Sequence, residues 1–301
     1  MEVKTCPGCK SADFITIDSY GEEIELRAKG YSFFQKPYNI NKCRECGLHY
    51  KDNILSPEEL ACYYEHAEFE KWRNNNLYPP ERLIESYIRK KSNKVKILDF
   101  GCSEGRLLEK FVQDYQCFGF DLNLDALSIA KEKGIKIFSS FSDLINSHQK
   151  FDIIIMVDVF EHLTDPTAIL STLKKMLTEN GEILLSTGFA NASAYLKKPA
   201  EFWYFINPEH VCMLSDEFIN YICEKDNLSI SYKRCISHYD ISFKKRIEFN
   251  LVQFCYWNTM WLRRFSFLYK LYPFRKIFKW KHYPHFPVTK DHIVTALRKC
   301  N

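Results

Sequence analysis

Two hydrophobic periodicities alternate along the middle of the chain and predict a layered α/β domain. Short apolar runs, each bounded by turn residues, are strand candidates at 95–100, 117–120, 135–138, 151–157 and 183–186. Helical periods separate them at 105–114, 125–133 and 166–178. Strand–helix–strand repetition requires right-handed crossovers, so we predict a Rossmann-like, doubly wound parallel sheet. Ligands bind such sheets beyond the carboxyl ends of the strands.

The segments that flank this core have their own patterns. Residues 56–59, Ser-Pro-Glu-Glu, combine an N-cap, a proline and a capping-box glutamate at a helix start, and a second amphipathic helix begins near Glu81. Residues 228–237 and 291–299 alternate as two further strands would. We expect a helical linker or cap over 53–93, the core over 94–240, and a helical insertion with the last core strand over 241–301.

Four cysteines near the N terminus form two matched C-x-x-C pairs, Cys6 with Cys9 and Cys43 with Cys46. Each pair can direct two thiolates at one ion, and four thiolates complete a tetrahedral zinc site. We therefore predict a zinc ribbon over 1–52, although the separation of the pairs is longer than ribbons usually have. Four cysteine ligands leave no open position, so this zinc would be structural. A redox pair or unrelated cysteines are the alternatives.

Composition narrows the classes of function. Aromatic residues make up 16% of the chain, which excludes global disorder. No apolar run approaches the roughly 18 residues of a membrane span, and the first residues lack the layout of a signal peptide. We therefore expect a cytoplasmic protein whose 12 cysteines are thiols or metal ligands. A net charge of +4 is too small to imply a nucleic-acid partner.

A glycine-containing turn follows the first core strand, with the sequence LDFGCSEG at 98–105. Glycines there let the backbone approach a ligand closely, but Gly101 and Gly105 do not have the G-x-G-x-x-G spacing of a dinucleotide site. Asp99, at the strand end, would repel a pyrophosphate and suits a cationic ligand. Asp121 ends the second strand, where a carboxylate can accept both hydroxyls of a ribose.

These motifs together resemble the fingerprint of class I S-adenosylmethionine (SAM)-dependent methyltransferases. The resemblance extends to FDIII at 151–155, VDVFEHL at 157–163 and NGEIL at 180–184. One difference is Ser103, which replaces the usual middle glycine. We expect the turn to tolerate this residue less well than glycine, without loss of cofactor binding. The resemblance implies that 228–237 and 291–299 are the sixth and seventh strands, with the last one antiparallel.

The resemblance also implies SAM as the cofactor and indicates the residues that would hold it. Asp99 and the glycines would surround the methionine part, Asp121 would hold the ribose beside Leu122, and Ser142 with Asp143 would lie near the adenine amine. The expected cofactor-binding residues are Asp99, Gly101, Cys102, Gly105, Asp121, Leu122, Ser142, Asp143 and Asp158.

A zinc module ahead of such a core resembles the branch that includes sugar C-methyltransferases and enzymes of surface-polysaccharide or natural-product pathways. In that branch a Glu-His pair follows strand five and its histidine acts as a base. Glu209 and His210 occupy that place here. A histidine can accept a proton near neutral pH, although His210 can also serve only to cap local backbone.

A second group of candidate residues lies beyond the fourth strand and consists of Asp158, Glu161 and His162. It resembles the acidic-histidine motif that holds a divalent ion in ubiquinone-pathway O-methyltransferases. Methyltransferases without a catalytic metal carry a similar Glu-His pair, so we favour His162 as a packed or substrate-facing residue. We include it as a third catalytic candidate beside Glu209 and His210.

Aromatic and basic residues interleave near the C terminus. From Leu251 onward the chain holds ten Lys and Arg residues and one Asp, a local charge of +9. Helices over 254–286 would fit a membrane interface, placing the protein peripherally at the inner membrane face. Packing on the core as a substrate lid fits equally well, and stacking on single-stranded RNA is a third option.

The sequence therefore predicts a SAM-dependent methyltransferase of a small molecule: a sugar, a glycolipid precursor or a natural-product intermediate. One alternative is a metal-assisted O-methyltransferase of a quinone-like substrate. The other is a SAM-binding protein whose zinc module and basic tail bind RNA or a partner. Asp99, Asp121 and His210 favour an enzyme, while the acceptor atom (O, N or C) and the oligomeric state stay open.

Overall fold

The computed structural model of the protein describes residues 1–72, 76–91, 95–259 and 290–300. Its N-terminal module holds the strands β1 (Phe14–Tyr20), β2 (Ile24–Ala28), β3 (Tyr31–Gln35), β4 (Tyr38–Cys43) and β5 (His49–Lys51). β1, β4 and β5 form an antiparallel sheet, and β2 pairs with β3 as a separate hairpin. The strands bring the two cysteine pairs together, as a zinc ribbon requires.

Two helices connect this module to the core, α1 (Pro57–Glu65) and α2 (Pro79–Ile88). The predicted start of α1 is confirmed, because the Ser56 side chain accepts from the Glu59 amide and the Glu59 carboxylate accepts from the Ser56 amide. This reciprocal capping box satisfies two amides that a helix end otherwise leaves free.

The core is a seven-stranded mixed sheet in the order β12-β13-β10-β9-β6-β7-β8. Its strands are β6 (Lys96–Phe100), β7 (Gln116–Phe120), β8 (Lys136–Phe138), β9 (Phe151–Val157), β10 (Leu177–Gly188), β12 (Leu228–Ile236) and β13 (His292–Lys299). β13 runs antiparallel to both of its neighbours, while β10, β9, β6, β7 and β8 pair in parallel. The predicted Rossmann-like sheet with an antiparallel last strand is confirmed.

The described part of the core also contains the helices α3 (Leu124–Glu132), α4 (Phe141–Asn146), α5 (Pro166–Lys175), α6 (Ser193–Lys197), α7 (Asp216–Lys225) and α8 (Phe243–Thr259). The helix predicted over 105–114 is wrong, because only a three-residue 3-10 helix forms at Leu108–Lys110. Gly105 has a φ of +72°, which an α-helix cannot contain. The amides of Lys110, Phe111 and Asp114 also bond three residues back rather than four.

The N-terminal module and the core share a sheet and a hydrophobic cluster. Strand β11 (Cys212–Met213) of the core pairs with β5 of the module in an antiparallel arrangement. Leu48 and Tyr50 of the module lie in the same apolar cluster as Phe160 and Phe218 of the core. The module is therefore packed on the core beside the segment that carries His210.

The aromatic and basic segment predicted over 254–286 lies mostly outside the described residues, since the description of this part ends with α8 at Thr259. The alternatives of a membrane contact, a lid or an RNA-binding helix therefore stay predictions. Among the helices that the structure describes, none combines the length and apolar character needed to cross a membrane.

Candidate active site

A cavity of about 890 Å³ opens at the carboxyl edge of the parallel strands. Its wall combines the ends of β6, β7 and β9 with α1, α2 and the segment before β11. The predicted site residues that line it are Asp99, Gly101, Cys102, Asp121, Leu122, Asp158, Glu161, His162, Glu209 and His210. The cavity therefore brings together most of the residues that were predicted from separate motifs.

The turn after β6 contains three residues with positive φ. Gly101 has a φ of +91°, and a Cβ there would overlap the side chain of Val159. Ser103 has a φ of +47°, in the left-handed region that favours glycine and that costs other residues about 1–3 kcal/mol. Gly105 does not line the cavity, because a Cβ there would overlap Ile135 in the packed interior. This packing gives no support to the predicted contact of Gly105 with the cofactor, which stays a prediction.

Asp121 anchors this turn to the end of β7. Its two carboxylate oxygens accept from the Ser103 amide at 2.8 Å and from the Asn123 amide at 2.9 Å. Burial raises the pKa of Asp121 while these amides lower it. A carboxylate offers about four acceptor positions, so two remain for ribose hydroxyls. Leu122, 42% exposed, lies beside it as a surface on which an adenine could rest.

Asp99 is buried at the end of β6, and its Oδ1 has no hydrogen-bond partner in the described part of the chain. Burial, with the nearby charges of Glu81 and Asp121, raises its pKa to about 8. An unsatisfied buried carboxyl is costly unless a ligand meets it. The cationic methionine part of SAM would supply that partner, so the residues present fit the cofactor.

The remaining predicted cofactor contacts, Cys102 and the pair of Ser142 and Asp143, lie differently with respect to the cavity. Cys102 is buried and lines the cavity, and burial raises its thiol pKa well above 9. Ser142 and Asp143 are exposed in the first turn of α4 and do not line the cavity. Phe141, one residue earlier, does line it. The assignment of Ser142 and Asp143 to the adenine amine gains no geometric support from this placement.

Glu161, His162 and His210 place one ligand-type atom each within 4.8 Å of the others. Glu161 is buried and accepts from Thr187 Oγ1 at 2.7 Å and from the Tyr204 hydroxyl. His162 Nδ1 lies 2.5 Å from Tyr64 Oη and 3.0 Å from the Glu209 carbonyl oxygen. Glu161 and His162 are thus largely occupied by protein partners.

His210 differs from its neighbour His162 because its Nδ1 is buried without a hydrogen-bond partner among the described residues. Burial lowers the pKa of His210 well below 6.5, and the charges of His162 and Lys51 act in the same direction. The imidazole is therefore neutral at physiological pH and able to accept a proton. The Oε2 of Glu209 is also buried without a hydrogen-bond partner among the described residues. Burial lowers the pKa of Lys51 to about 7, and the charge of Glu209 acts in the opposite direction.

Several residues of the site escaped sequence reasoning. Tyr64, Tyr204, His238 and His292 carry no motif, yet they lie at or beside the cavity. The positions of His238 and His292 relative to the predicted strands could have indicated them. His238 follows the end of β12, and His292 begins the antiparallel strand β13, so both lie at the carboxyl edge of the sheet.

The four predicted zinc ligands converge away from this cavity. The Sγ atoms of Cys6 and Cys46 are 3.5 Å apart, and those of Cys9 and Cys43 are 3.4 Å apart. All four lie within 4.8 Å of one another, and all but Cys9 are buried. Thiolates about 2.3 Å from a central ion would be separated by about 3.8 Å, so the cluster fits a tetrahedral zinc.

Comparison with known proteins agrees with this geometry. Residues 64–232 match a family described as a methyltransferase domain. The chain is 29% identical over 162 residues to a ubiquinone biosynthesis O-methyltransferase of Haemophilus ducreyi, covering 47% of this chain and 68% of that protein. It is 31% identical over 137 residues to a protein of the same name from Glaesserella parasuis, covering 40% of this chain and 57% of that protein. The chain thus spans between about half and two thirds of the length of these relatives.

A solved structure is also similar to this chain. The crystal structure of magnesium protoporphyrin IX methyltransferase from Synechocystis PCC 6803, with bound SAM, is 12% identical to it. The alignment covers 80% of this chain and 95% of that one, with a TM-score of 0.47.

Proposed function

Because this chain belongs to the methyltransferase-domain family and is a SAM-dependent methyltransferase, we propose that it methylates a hydroxyl oxygen on a quinone-like ring. The names of the curated relatives support an oxygen acceptor and a quinone-like substrate. The sugar, glycolipid or natural-product acceptor that the sequence favoured has no comparable support from these relatives.

The observation that carries the proposal is the neutral imidazole of His210, whose buried Nδ1 has no hydrogen-bond partner among the described residues, in the cavity lined by the predicted SAM residues. His210 lines the same cavity as Asp99 and Asp121. A hydroxyl must lose its proton when it gains a methyl group, and a neutral histidine can take that proton. The buried His210 therefore suits general-base catalysis better than His162, whose Nδ1 already contacts two oxygens.

The chemistry divides between the cofactor and the protein. SAM supplies an electrophilic methyl group, which passes to the acceptor oxygen as the sulfonium becomes a neutral thioether. His210 takes the hydroxyl proton and becomes an imidazolium. The Tyr204 hydroxyl contacts Asp158 Oδ1 and Glu161 Oε1, donating its one hydrogen to either, and so holds these groups in place beside the imidazole. Asp99 and Asp121 would hold the methionine and ribose parts of bound SAM.

The apolar and aromatic lining of the cavity agrees with a ring substrate. Trp203, Tyr239, Phe69 and Leu60 all contribute to its wall. Apolar walls with a few polar groups are typical of sites that orient a small ring-shaped ligand.

A direct assay tests the proposal. The purified chain is incubated with methyl-labelled SAM and either a dihydroxylated aromatic compound or a nucleotide-linked sugar, and products are identified by mass spectrometry. We expect an O-methylated aromatic product, strongly reduced in His210→Ala and unchanged in His148→Ala, an exposed histidine outside the cavity. Methylation of the sugar alone, or of carbon, would refute the proposal.

A further inference from the structure

Three side chains meet at the cavity wall from three separate strands. Asp158 follows β9, His238 follows β12, and His292 begins β13. Asp158 Oδ1 lies 3.7 Å from His292 Nε2, and Asp158 Oδ2 lies 3.9 Å from His238 Nδ1. The three groups can each offer one atom within 4.8 Å of the others.

These distances are too long for hydrogen bonds but suit a shared ion. Charge-assisted N–H···O bonds are about 2.7–2.9 Å long, well below the observed separations. Ligands placed about 2.1 Å from a tetrahedral dication would be about 3.4 Å apart. The two Asp158–histidine distances are therefore close to the separation that ligands of one shared ion would have.

Both imidazole nitrogens that face Asp158 are unsatisfied. His238 Nδ1 and His292 Nε2 are buried and have no hydrogen-bond partner among the described residues. The two residues are 7% and 0% exposed, so solvent does not readily supply the missing partner. Buried polar atoms without partners are uncommon in folded proteins, and a bound ion can satisfy them where protein groups do not.

A second layer of contacts fixes the orientation of His292. Asp291 Oδ1 lies 3.2 Å from His292 Nδ1 and also accepts from the His238 backbone amide at 3.0 Å. Its other oxygen accepts from Trp203 Nε1 at 3.2 Å. A carboxylate on Nδ1 favours a proton at that nitrogen, so Nε2, which faces Asp158, is the nitrogen that would bind an ion. Metal-binding histidines commonly have such a carboxylate partner.

We propose that Asp158, His238 and His292 bind a first-row transition-metal dication such as Zn²⁺, in a site separate from the four cysteines. Two imidazoles and one carboxylate are the ligand set of catalytic zinc and iron centres, which keep open positions for a substrate. Asp158 and His238 line the cavity, so the open positions face the acceptor. The use of this ion as a Lewis acid rests on the proposed function, whereas its binding does not.

The neighbouring group of Glu161, His162 and His210 is the competitor for this ion. Its members also lie within 4.8 Å of one another. Both Glu161 oxygens, however, already accept hydrogen bonds from Thr187 and Tyr204. His162 Nδ1 is likewise engaged by Tyr64. Asp158 Oδ1 also contacts the Tyr204 hydroxyl, but the Asp158 group has two buried imidazole nitrogens without a hydrogen-bond partner among the described residues, and the Glu161 group has one. We therefore assign the metal to the Asp158 group.

Metal titration of the full chain tests the proposal without an activity assay. Protein freed of metal is titrated with Co²⁺, and the bound ion is quantified by elemental analysis. We expect two ions per chain: one with the thiolate charge-transfer absorption of a cysteine site, and one with only the d–d bands of nitrogen and oxygen ligands. Asp158→Asn and His238→Gln should each remove the second ion and leave the first.

The controls separate the possible outcomes. His148→Gln, which changes an exposed histidine, should still bind two ions. Circular dichroism identifies a variant that fails to fold. The comparison of His238→Gln with His162→Gln decides between the two groups, because Asp158 also belongs to the predicted group of Glu161 and His162. One ion in the folded wild type, or loss of the second ion in His162→Gln but not in His238→Gln, would overturn the proposal. O-methylation by a one-ion protein would refute this site while leaving the proposed function intact.

Discussion

The four cysteines of the N-terminal module and the residues at the carboxyl edge of the sheet are two ligand-rich regions of opposite character. The cysteines supply four like donors within 4.8 Å, which is a complete tetrahedron. The sheet edge supplies imidazoles and carboxylates that are incompletely hydrogen-bonded and that border a cavity of about 890 Å³. The closed set can only stabilise the fold, whereas the open set is able to bind and deprotonate a substrate.

The largest effect should come from removing a cysteine ligand of the N-terminal module. Structural zinc contributes about 10–16 kcal/mol of apparent binding energy in zinc-finger peptides, so Cys43→Ser should lose the ion and lower the melting temperature markedly. Elemental analysis and thermal unfolding measure both effects. Cys300→Ser, at an exposed cysteine, is the matched control and should behave as wild type. A metal-free wild type that remains fully folded would contradict the structural role of the cluster.

Removing the imidazole of His210 should affect catalysis and leave the fold of the module unchanged. We expect His210→Ala to lower turnover by about 10²–10⁴-fold while the dissociation constant of SAM changes by no more than about threefold. Steady-state kinetics and calorimetry measure the two quantities. The competing variant is His162→Ala. If it abolishes turnover while His210→Ala retains it, the base has been misassigned.

The pH profile of the same reaction gives a finer test. Because a base must be deprotonated to act, activity should fall as the pH drops through the pKa of His210. Burial places that pKa well below 6.5, so the acidic limb should also lie below 6.5, lower than an exposed histidine would give. An acidic limb above 6.5 in kcat/KM would contradict the burial of this imidazole.

Removal of the Asp121 carboxylate should have a smaller effect, on the binding of the cofactor. Asp121→Ala loses hydrogen bonds to a charged group, for which about 1.5–3 kcal/mol is typical, so SAM should bind about 10- to 150-fold more weakly. Calorimetry of SAM binding measures the change. Asp143→Ala, an exposed carboxylate outside the cavity, is the control. Equal affinities in the two variants would show that the ribose binds elsewhere.

The smallest expected effect is a pH dependence of SAM affinity through Asp99. Its pKa is raised to about 8, so at pH 7 most of the carboxyl is protonated and must lose its proton to meet a cation. Affinity should therefore rise with pH and level off above about 8, by at most about tenfold per unit. Asp99→Asn should flatten this dependence. A flat profile in the wild type would mean that the cation does not contact Asp99.

The sequence was most informative where a pattern is local. The apolar run at 151–157 and the capping box at Ser56 follow from near neighbours, and both appear as predicted. The helix over 105–114 failed because Gly105 takes a left-handed conformation that periodicity does not reveal. His238 and His292 were missed because 53 intervening residues separate them in the chain, and only the pairing of β12 with β13 brings them together.

We expect one cavity to hold SAM between Asp99 and Asp121, with its reactive end beside His210. A crystal structure of the protein with S-adenosylhomocysteine would test this arrangement. We expect ribose hydroxyls on the Asp121 carboxylate, the homocysteine part beside Asp99 and Gly101, and the sulfur facing the open cavity near His210. A product bound with its ribose away from Asp121, or outside this cavity, would show that this arrangement is wrong.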